Sequence, residues 1–188
     1  MIPFRNEERL EQSIHEIHGI FEEERLKHYW KFIRAYRMPV LDVGPRNWIG
    51  LTLADAFNWR EPDNTLPCDF NKELLTPKEK YDTILCFEVL EHLVNPMVFM
   101  ENLREKLSED GTLYLSTPVA GFLSVYMCPQ HFCEYKPEPL MEFFDCAGFR
   151  VEAMEIFRPW PWWFYFTGFR PMLRFFTNKT QLYALKLK

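Results

Sequence analysis

No stretch of this sequence is long and apolar enough to cross a membrane. The most apolar segment, Trp160 to Phe169, has ten residues and is broken by Pro161 and Gly168, whereas a spanning helix needs about 20 apolar residues. A secretion signal is missing too: Met1-Ile2-Pro3-Phe4-Arg5-Asn6-Glu7-Glu8 runs straight into charge without the apolar core such signals carry, which predicts a cytoplasmic protein. Basic residues are outnumbered, 22 against 27 acidic ones, for a formal net charge of -5. A long phosphate-tracking surface is therefore not expected, and no nucleic acid partner is predicted. Cysteines are few and odd in number, Cys68, Cys86, Cys128, Cys133 and Cys146, in a chain too large to need disulfide staples. Free thiols in a reducing compartment are expected.

What is present is a globular composition: 188 residues, 47% hydrophobic, 26% charged and 17% aromatic. That excludes a disordered or low-complexity polymer and suits one domain burying roughly two thirds of its unfolded surface. From Glu7 to Arg37, Leu10, Ile14, Ile17 and Phe21, then Leu26, Trp30 and Ile33, recur at helical spacing among charged residues. One or two amphipathic helices are predicted, ended by Met38-Pro39. The organisation expected is an N-terminal helical extension, 1–38, and a domain over 39–188 with an aromatic-rich insertion at 158–178.

Val40-Leu41-Asp42-Val43-Gly44 reads as strand and tight turn, and Asn47 to Phe57 as the following helix. Asn58 to Pro67 is polar and turn-rich. Tyr81 to Phe87 is a second strand, Asn95-Pro96 caps and opens a helix carrying Met100, Leu103 and Leu107, and Ser108-Glu109-Asp110-Gly111 closes it. Thr112 to Ser116 reads as a third strand, Pro139 to Ala147 as a helix, Phe149 to Phe157 as a fourth strand and Gln181 to Lys188 as a last one. Strands alternating with helices predict an α/β sheet covered on both faces, with ligands bound beyond the carboxyl ends of its strands. Two marked segments should end there: Leu41 to Asn47, where a glycine admits a ligand close to the backbone, and Tyr81 to Leu93.

Taken in order, LDVGPRN at 41–47, YDTILCFEVLEHLVNP at 81–96, LREKLSEDGTLYLSTP at 103–118, and HFCEY at 131–135 leading to LMEFFDCAGFRVE at 140–152 resemble the class I S-adenosylmethionine-dependent methyltransferases. Within them they resemble the group with a Glu-His pair after the fourth strand. The resemblance spans about residues 40–157. It implies a Rossmann-like sheet holding S-adenosylmethionine, with Asp42, Gly44, Pro45 and Asn47 near the methionine end and Cys86, Phe87 and Glu88 passing alongside. Asp42 would meet the ammonium and loop amides the carboxylate. If the acceptor is a hydroxyl it needs a base, and His92 and His131 are the candidates.

The sequence also departs from that pattern. The loop has Gly44 followed by Pro45-Arg46-Asn47-Trp48-Ile49-Gly50, where the family carries two or three glycines. Only 26 residues separate Asp42 from Cys68, so one strand or helix of the middle section is expected to be missing. Asp69, 13 residues before Asp82, fits the adenine side, and Glu61 or Asp63 fits the ribose hydroxyls. Read by themselves, Asp42 and Gly44 also suit a plain strand-end turn, Glu88 and Glu91 suit a helix start, and His92 suits a buried histidine bonded to a carbonyl. Cys128, His131 and Cys133 match no zinc spacing, and no metal is expected.

The function expected is methyl transfer to a small-molecule acceptor at oxygen. The alternative is a cofactor-binding or degenerate module acting as a regulatory or partner subunit. The cluster Phe157, Trp160, Trp162, Trp163, Phe164, Tyr165, Phe166 and Phe169, followed by Arg170, Arg174, Phe175 and Phe176, reads as packing on the sheet, as a lid over the acceptor, or as a surface meeting a membrane or partner chain.

Overall fold

The computed structural model describes residues 20–34, 36–44, 48–56, 61–121 and 131–188. In chain order the elements are α1 (Ile20–Phe32), β1 (Val40–Asp42), α2 (Trp48–Ala56), β2 (Asp63–Asn64), β3 (Tyr81–Phe87), a 3-10 turn (Leu90–His92) and α3 (Pro96–Lys106). Then come β4 (Leu107–Pro118), α4 (Pro137–Cys146), β5 (Phe149–Phe157), a second 3-10 turn (Trp162–Phe166), α5 (Phe169–Thr177) and β6 (Thr180–Leu187).

The strands form one six-stranded sheet in the order β2-β1-β3-β4-β6-β5. Strands β2, β1, β3 and β4 are parallel, and β6 runs antiparallel to both β4 and β5. After β1 the chain pairs first on one side, with β2, and then on the other, with β3. The order therefore reverses at β1/β3, which is where α/β sheets open a ligand crevice. The shortened middle section has its expected consequence among the described residues: between β1 and β3 there are only α2 and the two-residue strand β2.

Alternation along the strands sorts the core into two layers. On one face Leu41, Ile84, Cys86, Leu113, Leu115 and Leu185 pack with Phe99, Met100 and Leu103 of α3 and with Leu140 and Phe144 of α4. On the other, Val40, Leu85, Phe87, Tyr114 and Leu182 pack with Leu26, Tyr29 and Trp30 of α1, with Ile33 just beyond it, and with Ile49 and Leu53 of α2. Helix α1 thus forms a layer over the sheet. His28 Nδ1 lies 2.6 Å from Glu155 Oε1, and its ring stacks on Phe157 at 4.1 Å, tying α1 to β5.

Two local expectations need correction. Asn95 precedes α3 but its side chain makes no capping hydrogen bond; instead its N–H, like that of Val94, donates to Asn71 Oδ1 at 2.8 Å. Ser108 to Gly111 lies within the span of β4, as a bulge: Tyr81 pairs with Leu107 and Thr83 with Thr112. The turn-forming residues are accommodated there as extra length in one strand. Four thiols, Cys68, Cys86, Cys133 and Cys146, are free, and Cys128 lies outside the described residues. No helix among the described residues is long and apolar enough to cross a membrane.

Candidate active site at the carboxyl edge of the sheet

Asp42 ends β1 at the switch point with 3% of its surface exposed. Burial lifts its carboxyl from 3.8 to about 7, because ionising it in so dry a place has little water to compensate it. Its side chain lies against α2 at Gly50, where an added Cβ would run into the carboxylate. Gly50 is the space that lets α2 pass over Asp42.

Gly44 follows with φ of +117°, a conformation that strains any residue with a Cβ. Its N–H donates to Thr65 Oγ1 at 3.3 Å, and that hydroxyl donates back to the Gly44 carbonyl at 3.2 Å. Asn64 Nδ2 donates to the Asp42 carbonyl at 2.9 Å. The segment after β2 thus holds the turn after β1. Beside them opens a cleft of about 260 Å³ lined by Asp42, Leu51, Glu61, Pro62, Asp63 and Asn64, with Pro77 at its margin. That is slightly under the roughly 300–1,000 Å³ of ordinary ligand pockets. Pro45 and Asn47 lie outside the described residues.

Asp69 is not among the residues lining this cleft. Its exposed carboxylate accepts from Asn71 at 3.1 Å and pairs with Lys72 at 3.2 Å, contacts that hold it below the usual carboxylate range, the Asn71 N–H foremost. Asp63 is on the cleft wall and pairs with Lys78.

Cys86 and Phe87 put their side chains into the two core layers: Cys86 is fully buried, and Phe87 stacks on Tyr29 at 4.3 Å. Burial first, then the charges of Glu91 and Asp42, push the Cys86 thiol up. Glu88 follows with φ of +56°, rare for a residue carrying a Cβ and concentrated at functional sites. Its N–H donates to the Ser116 carbonyl at 3.0 Å. Its carboxylate accepts from Ser116 Oγ at 2.9 Å and pairs with Arg25 at 3.3 Å. Tyr29 closes the ring, its hydroxyl 2.8 Å from Ser116 Oγ and accepting from Arg25 at 3.1 Å.

Glu91 and His92 share the first 3-10 turn. Glu91 is fully buried; Thr117 Oγ1 donates to its Oε2 at 3.1 Å, while Oε1 lies 3.9 Å from His92 Nε2 and has no hydrogen-bond partner among the described residues. Burial, then the neighbouring Glu88 charge, raises its carboxyl to about 8. The Glu91 carbonyl accepts from the N–H groups of Phe132 and Cys133 at 2.8 and 3.3 Å, which brings His131 across. The rings of His92 and His131 meet edge to face at 4.9 Å, and His131 Nδ1 is 3.2 Å from Glu134 Oε1. One ligand atom from each of Glu91, His92 and His131 lies within 4.8 Å of the other two, a set suited to moving a proton or to holding a divalent cation.

The structure thus puts Asp42 on the cleft wall, with Gly44 in the turn that follows it, and brings His92 and His131 to one cluster, with Glu88 beside β4. Glu91 and Glu134 complete the cluster. The Glu-His pair drew attention to Glu91, but nothing in the sequence pointed to Glu134.

A family model described as "Methyltransferase domain" matches residues 18–180. A ubiquinone biosynthesis O-methyltransferase of Glaesserella parasuis is 46% identical over 50 residues, 26% of this chain and 21% of that protein. One of Actinobacillus pleuropneumoniae is 30% identical over 93 residues, 41% of this chain and 39% of that protein. The chain therefore spans less than half the length of these relatives. Among solved structures, an O-methyltransferase from a Brevibacillus brevis trans-AT PKS multienzyme, in complex with S-adenosyl-L-homocysteine, matches 95% of this chain and 75% of its own at 16% identity and TM-score 0.58. A SAM-dependent methyltransferase of Leishmania major matches 95% and 82% at 13% identity and TM-score 0.58. The family match over most of its length means that this chain belongs to the methyltransferase domain family, with the Rossmann-like fold of the class I, S-adenosylmethionine-dependent members.

Proposed function

We propose that the protein transfers a methyl group from S-adenosylmethionine to a hydroxyl oxygen of a small-molecule acceptor. The observation that carries this reading is the arrangement at the carboxyl ends of the paired parallel strands β1 and β3: Asp42 on a cleft wall with Gly44 in the turn after β1, and a carboxylate-imidazole cluster of Glu91, His92 and His131 built on the turn after β3. The chemistry of the cleft fits the cofactor: Asp42 offers a dry carboxylate to an ammonium, Gly44 leaves room for a close approach, and Glu61 and Asp63 offer carboxylates to a ribose diol. When bound, S-adenosylmethionine supplies an electrophilic methyl on a sulfonium.

The chain's own residues then have two tasks. The cleft and the Glu88 turn fix the line of approach and exclude water, which contributes many kcal/mol in reactions of this kind. The cluster takes the proton that the acceptor oxygen loses as its new carbon bond forms. His131, oriented through Nδ1 by Glu134, leaves Nε2 to accept it, and His92 faces the same space. Oxygen as the receiving atom is supported by the relatives named O-methyltransferases.

Calorimetry with S-adenosylmethionine and S-adenosylhomocysteine tests the cleft. Binding of both is expected, and Gly44→Val, which strains the turn at its φ of +117°, should abolish it; unchanged affinity in that variant would sink the assignment. Once an acceptor is found, His92→Ala and His131→Ala should lower turnover at least 100-fold for whichever is the base, with cofactor affinity unchanged. The second reading, a binding module without turnover, is favoured by the Gly44 N–H being taken by Thr65 and by the short middle section. It predicts cofactor binding that neither histidine variant affects and no methyl transfer to any hydroxyl acceptor.

A further inference from the structure

The insertion between β5 and β6 does not bury most of its aromatic surface. Trp162, Phe166, Phe169 and Phe176 expose 76, 82, 71 and 69% of their surfaces, and Trp163 and Met172 are exposed as well. Helix α5 buries no residue fully. This concentration of bare aromatic surface is far beyond the scattered apolar residues of an ordinary surface.

The insertion is nevertheless built rigidly. Trp160 stacks on Phe164 at 4.2 Å, and Tyr165 meets Phe175 edge to face at 5.2 Å. Arg158 lies 3.8 Å over the Phe175 ring and donates to the Phe175 carbonyl at 3.0 Å, and Arg174 lies 5.5 Å from the Trp160 ring. The exposed rings are therefore presented on a braced platform instead of collapsing inward.

Charge identifies what such a platform fits. From Ile156 to Lys188 the chain carries Arg158, Arg170, Arg174, Lys179, Lys186 and Lys188 and no Asp or Glu, in a protein whose net charge is -5. Tryptophan and phenylalanine flanked by arginine is the chemistry of the bilayer interface, where amphipathic rings sit at headgroup depth and cations meet anionic lipids. A second copy would set arginine against arginine. Helix α5, with nine residues, is far too short to span a bilayer but suited to lying in its surface.

We propose that residues 158–179 dock the protein onto the surface of a bilayer containing anionic lipid. The insertion leaves the sheet beside Pro118, since Phe157 and Pro118 both pair with Thr180 and Val119 N–H donates to the Lys179 carbonyl at 2.9 Å. That is the edge where Thr117 holds Glu91. Docked this way, the edge bearing the acceptor cluster is brought close to the lipid, which suits an amphiphilic acceptor; this last step rests on the methyl-transfer reading, whereas the docking does not.

The test is sedimentation of the whole chain with vesicles of phosphatidylcholine, with and without phosphatidylglycerol, read alongside tryptophan fluorescence. Binding to the mixed vesicles with a blue shift is expected. Trp162→Ser with Phe166→Ser should lower the partition at least tenfold on both vesicle types, and Arg170→Gln about fivefold on the anionic ones alone. Circular dichroism shows whether each variant is folded, and Asp42→Asn, which removes a cleft residue, should bind vesicles like the unaltered protein. No binding to either vesicle by the folded protein, binding that the aromatic double variant leaves unchanged, or a concentration-dependent dimer that the same variant abolishes would overturn the proposal.

Discussion

Asp42 is held in the folded protein at a cost that the cleft explains. An acid whose folded pKa lies above its unfolded value binds its proton more tightly when folded, so its stabilising influence is complete below about pH 4 and is lost as pH rises toward 7. With a carboxyl raised from 3.8 to about 7, the loss is roughly 4 kcal/mol. Asp42→Asn keeps the shape and removes the charge. We expect its Tm to exceed that of the unaltered protein by several degrees at pH 8 and to equal it at pH 4. Its affinity for S-adenosylmethionine should be lost at both. In the unaltered protein that affinity should weaken about tenfold per pH unit below 7, as the ammonium's partner becomes protonated. Melting curves and calorimetry across that range check both parts, and a Tm difference independent of pH would mean that Asp42 is not ionised in this cleft.

At the level of elements, α1 is the informative case. Leu26 and Tyr29 are fully buried against β3 and β4, and burial pushes the Tyr29 phenol up to about 12, so it stays neutral between Arg25 and Ser116. Leu26→Ala should therefore cost about 2–5 kcal/mol and lower the Tm of the entire sheet by about 6–12 °C, in one transition seen alike by far- and near-ultraviolet circular dichroism. An early, separate loss of helix would show instead that α1 is a detachable appendage. The periodicity of Leu26, Trp30 and Ile33 made this helix legible in the sequence, but not what it covers. Strands β3 and β5 were legible for the same reason: their side chains carry the signal. Strand β2 was not, because Asp63 and Asn64 are polar and join the sheet by pairing with Leu41 and Asp42, which no apolar pattern marks. The cluster of Glu91, His92 and His131 was half legible. His92 and His131 were visible as titratable residues, but the hydrogen bonds from Phe132 and Cys133 to the Glu91 carbonyl that join them depend on backbone that no side-chain pattern encodes.

On the reading proposed above, the molecule as a whole divides into a sheet that carries the chemistry and a platform that the sheet does not need. Phe157 and Thr180 are directly opposed partners of antiparallel strands, so the two strands are aligned for closure by a two-residue turn. The second 3-10 turn and α5 pack chiefly on each other, joined to the sheet at the strand ends. Replacing residues 158–179 by Asn-Gly, which favours the turn geometry of a tight hairpin, should therefore leave a folded protein. Its Tm should fall by only a few degrees, its S-adenosylhomocysteine affinity should stay within about twofold, and vesicle binding should vanish. Calorimetry, thermal melting and vesicle sedimentation on this one variant separate the two halves of the molecule. If cofactor affinity disappears with the platform while the melting transition stays cooperative, the aromatic segment belongs to the active site as its lid, and the sheet alone does not complete the cleft.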